Sequence, residues 1–194
     1  MKISFKSFGG YNAILAGAAG FLYSLAFIVL RNDLFSALFL LLGGFFATAA
    51  LIALYDKLRE TDASFALWGL VLALAGTFGS ILHAGYDLSN AIHAPTSVNT
   101  ELPSAIDPRG LATFGLAGIG LFFFAWLIVR GHKYPINFGY LGYLSAVLMI
   151  TLYLGRLIVL QAASLAIVIP ALLEGFIVNP LWYILLGVFL LRKK

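Results

Sequence analysis

The sequence predicts an all-α fold: a polytopic membrane helix bundle of six transmembrane helices with both termini in the cytoplasm. Three observations predict it. The first is composition. The chain has 194 residues, 62% hydrophobic and only 10% charged, whereas soluble domains carry about 25% charge. Such a chain cannot cover itself with charge, so water is not its solvent. The second is length. Six apolar runs fit, each of the roughly 20 residues that cross a bilayer, and short linkers consume the rest as one domain, 1–194. The third is sidedness. Lys2, Lys6, Lys57, Arg59, Arg130, Lys133, Arg192, Lys193 and Lys194 fall at one end and Arg31 and Arg109 at the other, with Arg156 inside a span. The positive-inside rule then places both termini in the cytoplasm. An even number of spans requires them to share a side, so the two arguments agree.

The elements follow in order. A head, 1–10, carries Lys2 and Lys6 and precedes the first span, 11–30. That apolar run is too long for a signal peptide and no polar mature domain follows it, so it reads as a retained helix. Ala13 and Gly17, and Ala16 and Gly20, are small pairs that let a second helix come close. Arg31-Asn32-Asp33 turns the chain into the second span, 34–55, with Gly43 and Ala47 on one face. The charged segment 56–62 leads to the third span, 63–90, with Asp62 or Ser64 as N-cap. Pro95, Pro103 and Pro108 keep the outer loop, 91–108, from continuing as helix. The fourth span, 109–130, starts at Asp107 or Pro108. After the basic turn from Arg130 to Pro135 comes the fifth, 138–160. Segment 161–170 reads as a short surface stretch or an irregular helix start, with Pro170 suited to a first turn. The sixth span is 170–191. Trp126, Tyr134, Tyr140, Tyr143, Trp182 and Tyr183 lie towards the cytoplasmic half, as interface anchors do.

Several function classes are excluded. Cysteine is absent, which removes disulfides, thiolate metal sites and a cysteine nucleophile. The net charge of +4 is spent at helix ends, and no basic patch with interleaved aromatics exists, so nucleic acid is not an expected partner. The expected partners are the lipid bilayer and other membrane subunits.

Ionisable groups at membrane depth each need a partner or a use. Gly76, Ser80, His83, Asp87 and Asn90 recur every three or four residues on the third helix and form one stripe. His83 and Asp87 stand at i,i+4, within reach of each other. They read as an interfacial pair wetted by water, or as a proton-handling pair or metal or haem ligand. Arg156 and Glu174, placed one turn inside the outer ends of their helices, match in depth and oppose in sign. They are expected to pair as a clasp, or to hold an anion or lipid headgroup on Arg156. His83, Asp87, His93, Arg156 and Glu174 are thus the candidate ligand-binding cluster. No metal or other cofactor is expected; haem or metal at His83 and His93 is the alternative, since a zinc site needs about three or four protein ligands. His132 reads as a solvated turn residue. Asn179 and Pro180 sit mid-helix, where proline frees the Phe176 carbonyl and bends the chain. The bland reading is a kink alone; the sharper one is a substrate-lined break, against which no inverted repeat is visible.

The segments ELPSAIDPRGLATFG (101–115), YLGRLIVL (153–160) and GFIVNPLWYILLGVFLLRKK (175–194) resemble those of uncharacterised bacterial six-helix membrane proteins. The resemblance covers about a third of the chain and implies a prokaryotic inner membrane and six helices, with no activity attached. Ser80, His83 and Asp87 are also similar to the set used by intramembrane hydrolases of the ceramidase and adiponectin-receptor type. The spacing differs and the late paired histidines are missing. The leading expectation is a structural or accessory subunit of a membrane complex. The alternative is an outward-facing binding or transport protein using His83, Asp87, Arg156 and Glu174, and after it an intramembrane enzyme or haem protein.

Overall fold

The computed structural model describes residues 4–93 and 106–192. Six helices are long and apolar enough to cross a membrane: α1 (Phe5–Leu30), α2 (Asp33–Leu58), α3 (Ala63–Ile92), α4 (Pro108–Gly131), α5 (Ile136–Val159) and α6 (Leu165–Leu191). No strand occurs among the described residues. Each helix packs on its sequence neighbour, and α6 returns to α1, so the six form a closed ring. Lys6 Nζ donates to the Arg192 carbonyl at 3.2 Å across that closure. The expected loop, 91–108, falls mostly outside the described residues.

Local chemistry sets the boundaries. α1 begins at Phe5, earlier than the expected position 11, because the Ser4 side chain accepts from the Ser7 N–H and caps it. Asn32 caps α2 by accepting from Phe35 N–H. Of the two expected caps of α3, Asp62 performs the role, accepting from Phe65 N–H at 3.2 Å. Both carboxylate oxygens of Asp107 accept from the start of α4, from the Ala112 and Thr113 N–H groups at 2.8 and 2.9 Å. His132 adopts left-handed geometry (φ 51) in the exposed turn after α4.

The start of α6 corrects the sequence reading. The helix begins at Leu165 after Ser164, and Pro170 lies inside it instead of in its first turn. An interior proline pushes against the carbonyl four residues earlier, here that of Ala166. That carbonyl lies against Gly155 of α5, where a Cβ would stand 3.3 Å from it. The missing side chain leaves room for it, and the helix runs on.

The ring seam between α1 and α6 is close. A Cβ on Gly17 would come 2.7 Å from the Pro180 carbonyl oxygen, and one on Gly187 would come 2.6 Å from the Gly10 carbonyl oxygen. Ala13 and Ala16 are buried in the same face, as their small-residue spacing predicts.

The two ends differ in charge. Lys57 and Lys133 both pair with Glu60, and Arg130 with Asp62 at 3.4 Å. With Lys6, Arg59 and Arg192 these define a basic end. Arg31, His83, Asp87, Arg109 and Arg156 belong to the opposite, histidine end. Beneath the basic end lie the largest fully buried side chains, including Phe124, Leu54, Leu58, Leu127, Ile128 and Leu186. Trp182 joins them near mid-depth. It is 1% exposed and stacks on Phe138 at 5.4 Å, so it is a core residue and not the interface anchor expected.

Candidate functional site

Among the described residues four π-helical segments interrupt the α-helices: Leu25–Leu30, Leu111–Leu116, Gly155–Val159 and Glu174–Val178. All lie in the half of the ring towards the histidine end. A π turn is one residue wider than an α turn and often marks a functional site. The last one has a visible cause. Asn179 donates its N–H to the Glu174 carbonyl, five residues back, and Pro180 next in line has no N–H to donate. The distortion expected at Asn179-Pro180 thus takes the form of a widened turn before the proline.

That turn carries Glu174 into the interior, where it is 6% exposed. Ser145 of α5, fully buried, donates its hydroxyl to Glu174 Oε1 at 2.5 Å. Oε2 has no hydrogen-bond partner among the described residues. The Asn179 side chain stands beside the carboxyl. Asn179 also lines a void of about 40 Å³ with Thr77, Trp182 and Tyr183 among apolar neighbours. The Trp182 Nε1–H has no partner among the described residues. The arrangement is a carboxyl, a hydroxyl and an amide gathered in the interior of an apolar bundle, with the Trp182 Nε1–H against Gly142 of α5.

The second group lies at the histidine end. His83 Nε2 and Asp87 Oδ2 are 3.2 Å apart, half exposed on α3, as their spacing predicts. Asp33 and Tyr23 stand within electrostatic range of Asp87, and Arg156 within that of Tyr23. The Arg156 guanidinium lies over the Phe114 ring at 5.5 Å.

The structure therefore divides the expected cluster in two. Arg156 and Glu174 do not pair. Arg156 lies roughly 5 Å from the end of α5, whereas Glu174 lies roughly 14 Å along α6 at about 1.5 Å per residue, because α6 starts at Leu165 and not at Pro170. His83, Asp87 and Arg156 share one end; Glu174 belongs to the interior. His93 is exposed at the end of α3, roughly 15 Å of helix from His83. No group of three or more His, Asp or Glu able to hold a metal gathers among the described residues, so His83 and His93 do not form a shared ligand set there.

Ser145 completes the interior site, and sequence reasoning did not assign it there. Ser145 had one signal, a hydroxyl in the middle of an apolar span. An apolar groove of about 560 Å³ also opens between α1 and α6, from Gly17 and Phe21 to Phe176 and Pro180. Comparison with protein-family models, curated proteins and solved structures finds no match for this chain.

Proposed function

We propose that the protein is a membrane-embedded binding or transport protein whose working group is the Glu174 carboxyl, and that it carries protons or a small cation. One observation supports this reading above the others: a carboxyl 6% exposed at mid-depth, with Ser145 bonded to Oε1, Asn179 beside it, and no hydrogen-bond partner on Oε2 among the described residues. A carboxylate moved from water to an apolar interior loses several kcal/mol of solvation. Ionisable groups kept at that cost inside membrane spans mark ion pathways and proton relays. A partly satisfied carboxyl can take up a proton or a cation and release it. The wide π turn and Pro180 supply the irregular backbone that transporters place beside such sites. The skew of basic residues supports an orientation with both termini cytoplasmic.

Reconstitution into liposomes tests this. With the membrane potential clamped, the wild type is expected to dissipate an imposed pH or cation gradient. Glu174→Gln, folded by size-exclusion profile, is expected to abolish the flux. Equal flux through both proteins sinks the reading.

The accessory-subunit reading keeps one observation in its favour. The end of α5 and the start of α6 are apolar and exposed, with Ile158 and Leu165 each at 71%. If a second membrane subunit covers them, Ile158→Ser loses a partner held at fixed stoichiometry in mild detergent. Gradient dissipation would then require that partner.

A further inference from the structure

We propose that Arg156, with Phe114 and Gly110, forms a binding site for a phosphate oxyanion at the histidine end of the bundle. The site is separate from the Glu174 centre and rests on different observations.

The first is a cation without a carboxylate partner at the histidine end among the described residues. Arg156 is half-buried on the π turn at the end of α5. Among the described residues it forms no ion pair with a carboxylate. Glu174 accepts from Ser145, Asp87 faces His83, and Asp107 accepts from the Ala112 and Thr113 N–H groups. A guanidinium carries five N–H donors in a planar fork and cannot shed its charge. Half-buried near a helix end, it calls for an acceptor.

The second is a built seat. The guanidinium carbon lies 5.5 Å from the Phe114 ring centre, so the ring covers one face of the fork and leaves its rim to donate. Cation–π contact of this kind also limits where the side chain can swing.

The third is the backbone opposite. Gly110 adopts φ +78, and a Cβ there would stand 2.5 Å from the Phe114 ring and 3.3 Å from Arg156 Nη1. Only glycine both takes that left-handed geometry without strain and leaves the space beside the nitrogen open. Arg109, also left-handed at φ 62, adds a second positive charge in the same turn.

A planar fork pairs bidentately with phosphate, and helix ends lie at the depth where bilayer headgroups carry it. A lipid headgroup and free inorganic phosphate share this chemistry.

The test titrates purified full-length protein in detergent with three probes: dioctanoyl phosphatidylglycerol, dioctanoyl phosphatidylcholine and inorganic phosphate. The readouts are the thermal midpoint and the apparent Kd. Saturable binding to wild type is expected, weakened about tenfold or more in Arg156→Gln, as losing a charged hydrogen-bond pair implies. Arg156→Lys, a point charge without the fork, is expected to fall between them. A response to phosphatidylglycerol alone assigns a lipid headgroup; a response to inorganic phosphate as well assigns a free anion. If no probe saturates on wild type, or Arg156→Gln binds as wild type does, the proposal is overturned. If Arg156→Gln does not fold, Phe114→Leu decides: it is expected to weaken the same probes about threefold by removing the ring contact, and unchanged affinity overturns the proposal.

Discussion

The half of the bundle near the basic end and the half near the histidine end are built from similarly apolar sequence, yet they pack differently. Near the basic end the helices are regular, and Phe124, Leu127, Ile128, Leu54 and Leu58 are fully buried. Near the histidine end all four π turns occur, and the buried side chains include Glu174, Ser24 and Thr77. Close packing of large apolar side chains fixes one arrangement. The difference teaches that large apolar side chains hold one half together, whereas the other half accommodates widened turns and buried polar groups.

Breaking the packed half should have the largest effect. Phe124→Ala is expected to cost about 3–5 kcal/mol, whereas Phe27→Ala, 56% exposed on a π turn, should cost under about 0.5 kcal/mol. Denaturant unfolding in one detergent compares them, and similar losses would erase the contrast. Next comes the interior carboxyl. Glu174→Ala strands the Ser145 hydroxyl and is expected to cost about 1–3 kcal/mol. Glu174→Gln keeps an acceptor for Ser145 and should cost less, while losing flux as completely. A Gln variant as unstable as the Ala variant would make Glu174 a structural group.

Glycines sharpen the comparison by sign. Gly187→Ala places a Cβ 2.6 Å from the Gly10 carbonyl oxygen and is expected to destabilise by about 1–3 kcal/mol through overpacking. Gly85, on α3 near the histidine end, has nothing within 4 Å of its added Cβ. Gly85→Ala is therefore expected to stabilise by up to about 1 kcal/mol. Thermal midpoints that move in the same direction would remove this distinction.

The smallest effect concerns Glu60, in the turn between α2 and α3. Its hydrogen bond and charge contact with Lys133, helped by Lys57, hold its carboxyl below its ordinary 4.5. A depressed carboxyl stabilises above its unfolded pKa and loses that contribution as pH falls through the folded one. The gap in thermal midpoint between wild type and Glu60→Gln should be constant above 4.5 and close below it. A gap that persists in acid would assign Glu60 a role other than its charge.

Much of the fold was legible because its signals are local. Asp62 precedes an apolar run and caps α3. Ala13 and Gly17 share a helix face and meet a neighbour. His83 and Asp87 stand four residues apart and touch. The candidate site was less legible. Pro170 reads as a helix start, yet α6 runs through it, with the Ala166 carbonyl set against Gly155 on another helix. That shift moved Glu174 away from Arg156 and towards Ser145. Nothing near residue 174 in sequence names position 145 as its partner.

By itself the sequence determined six membrane-length helices, most of their caps and the skew of basic charge, because hydrophobic length, capping residues and Lys/Arg placement act within a single segment. The tertiary structure alone decided which helices close the ring, where the turns widen, and which polar groups share an interior. Those outcomes depend on the depth and facing of side chains from different helices, and a one-turn change in where a helix begins alters them without altering any local pattern.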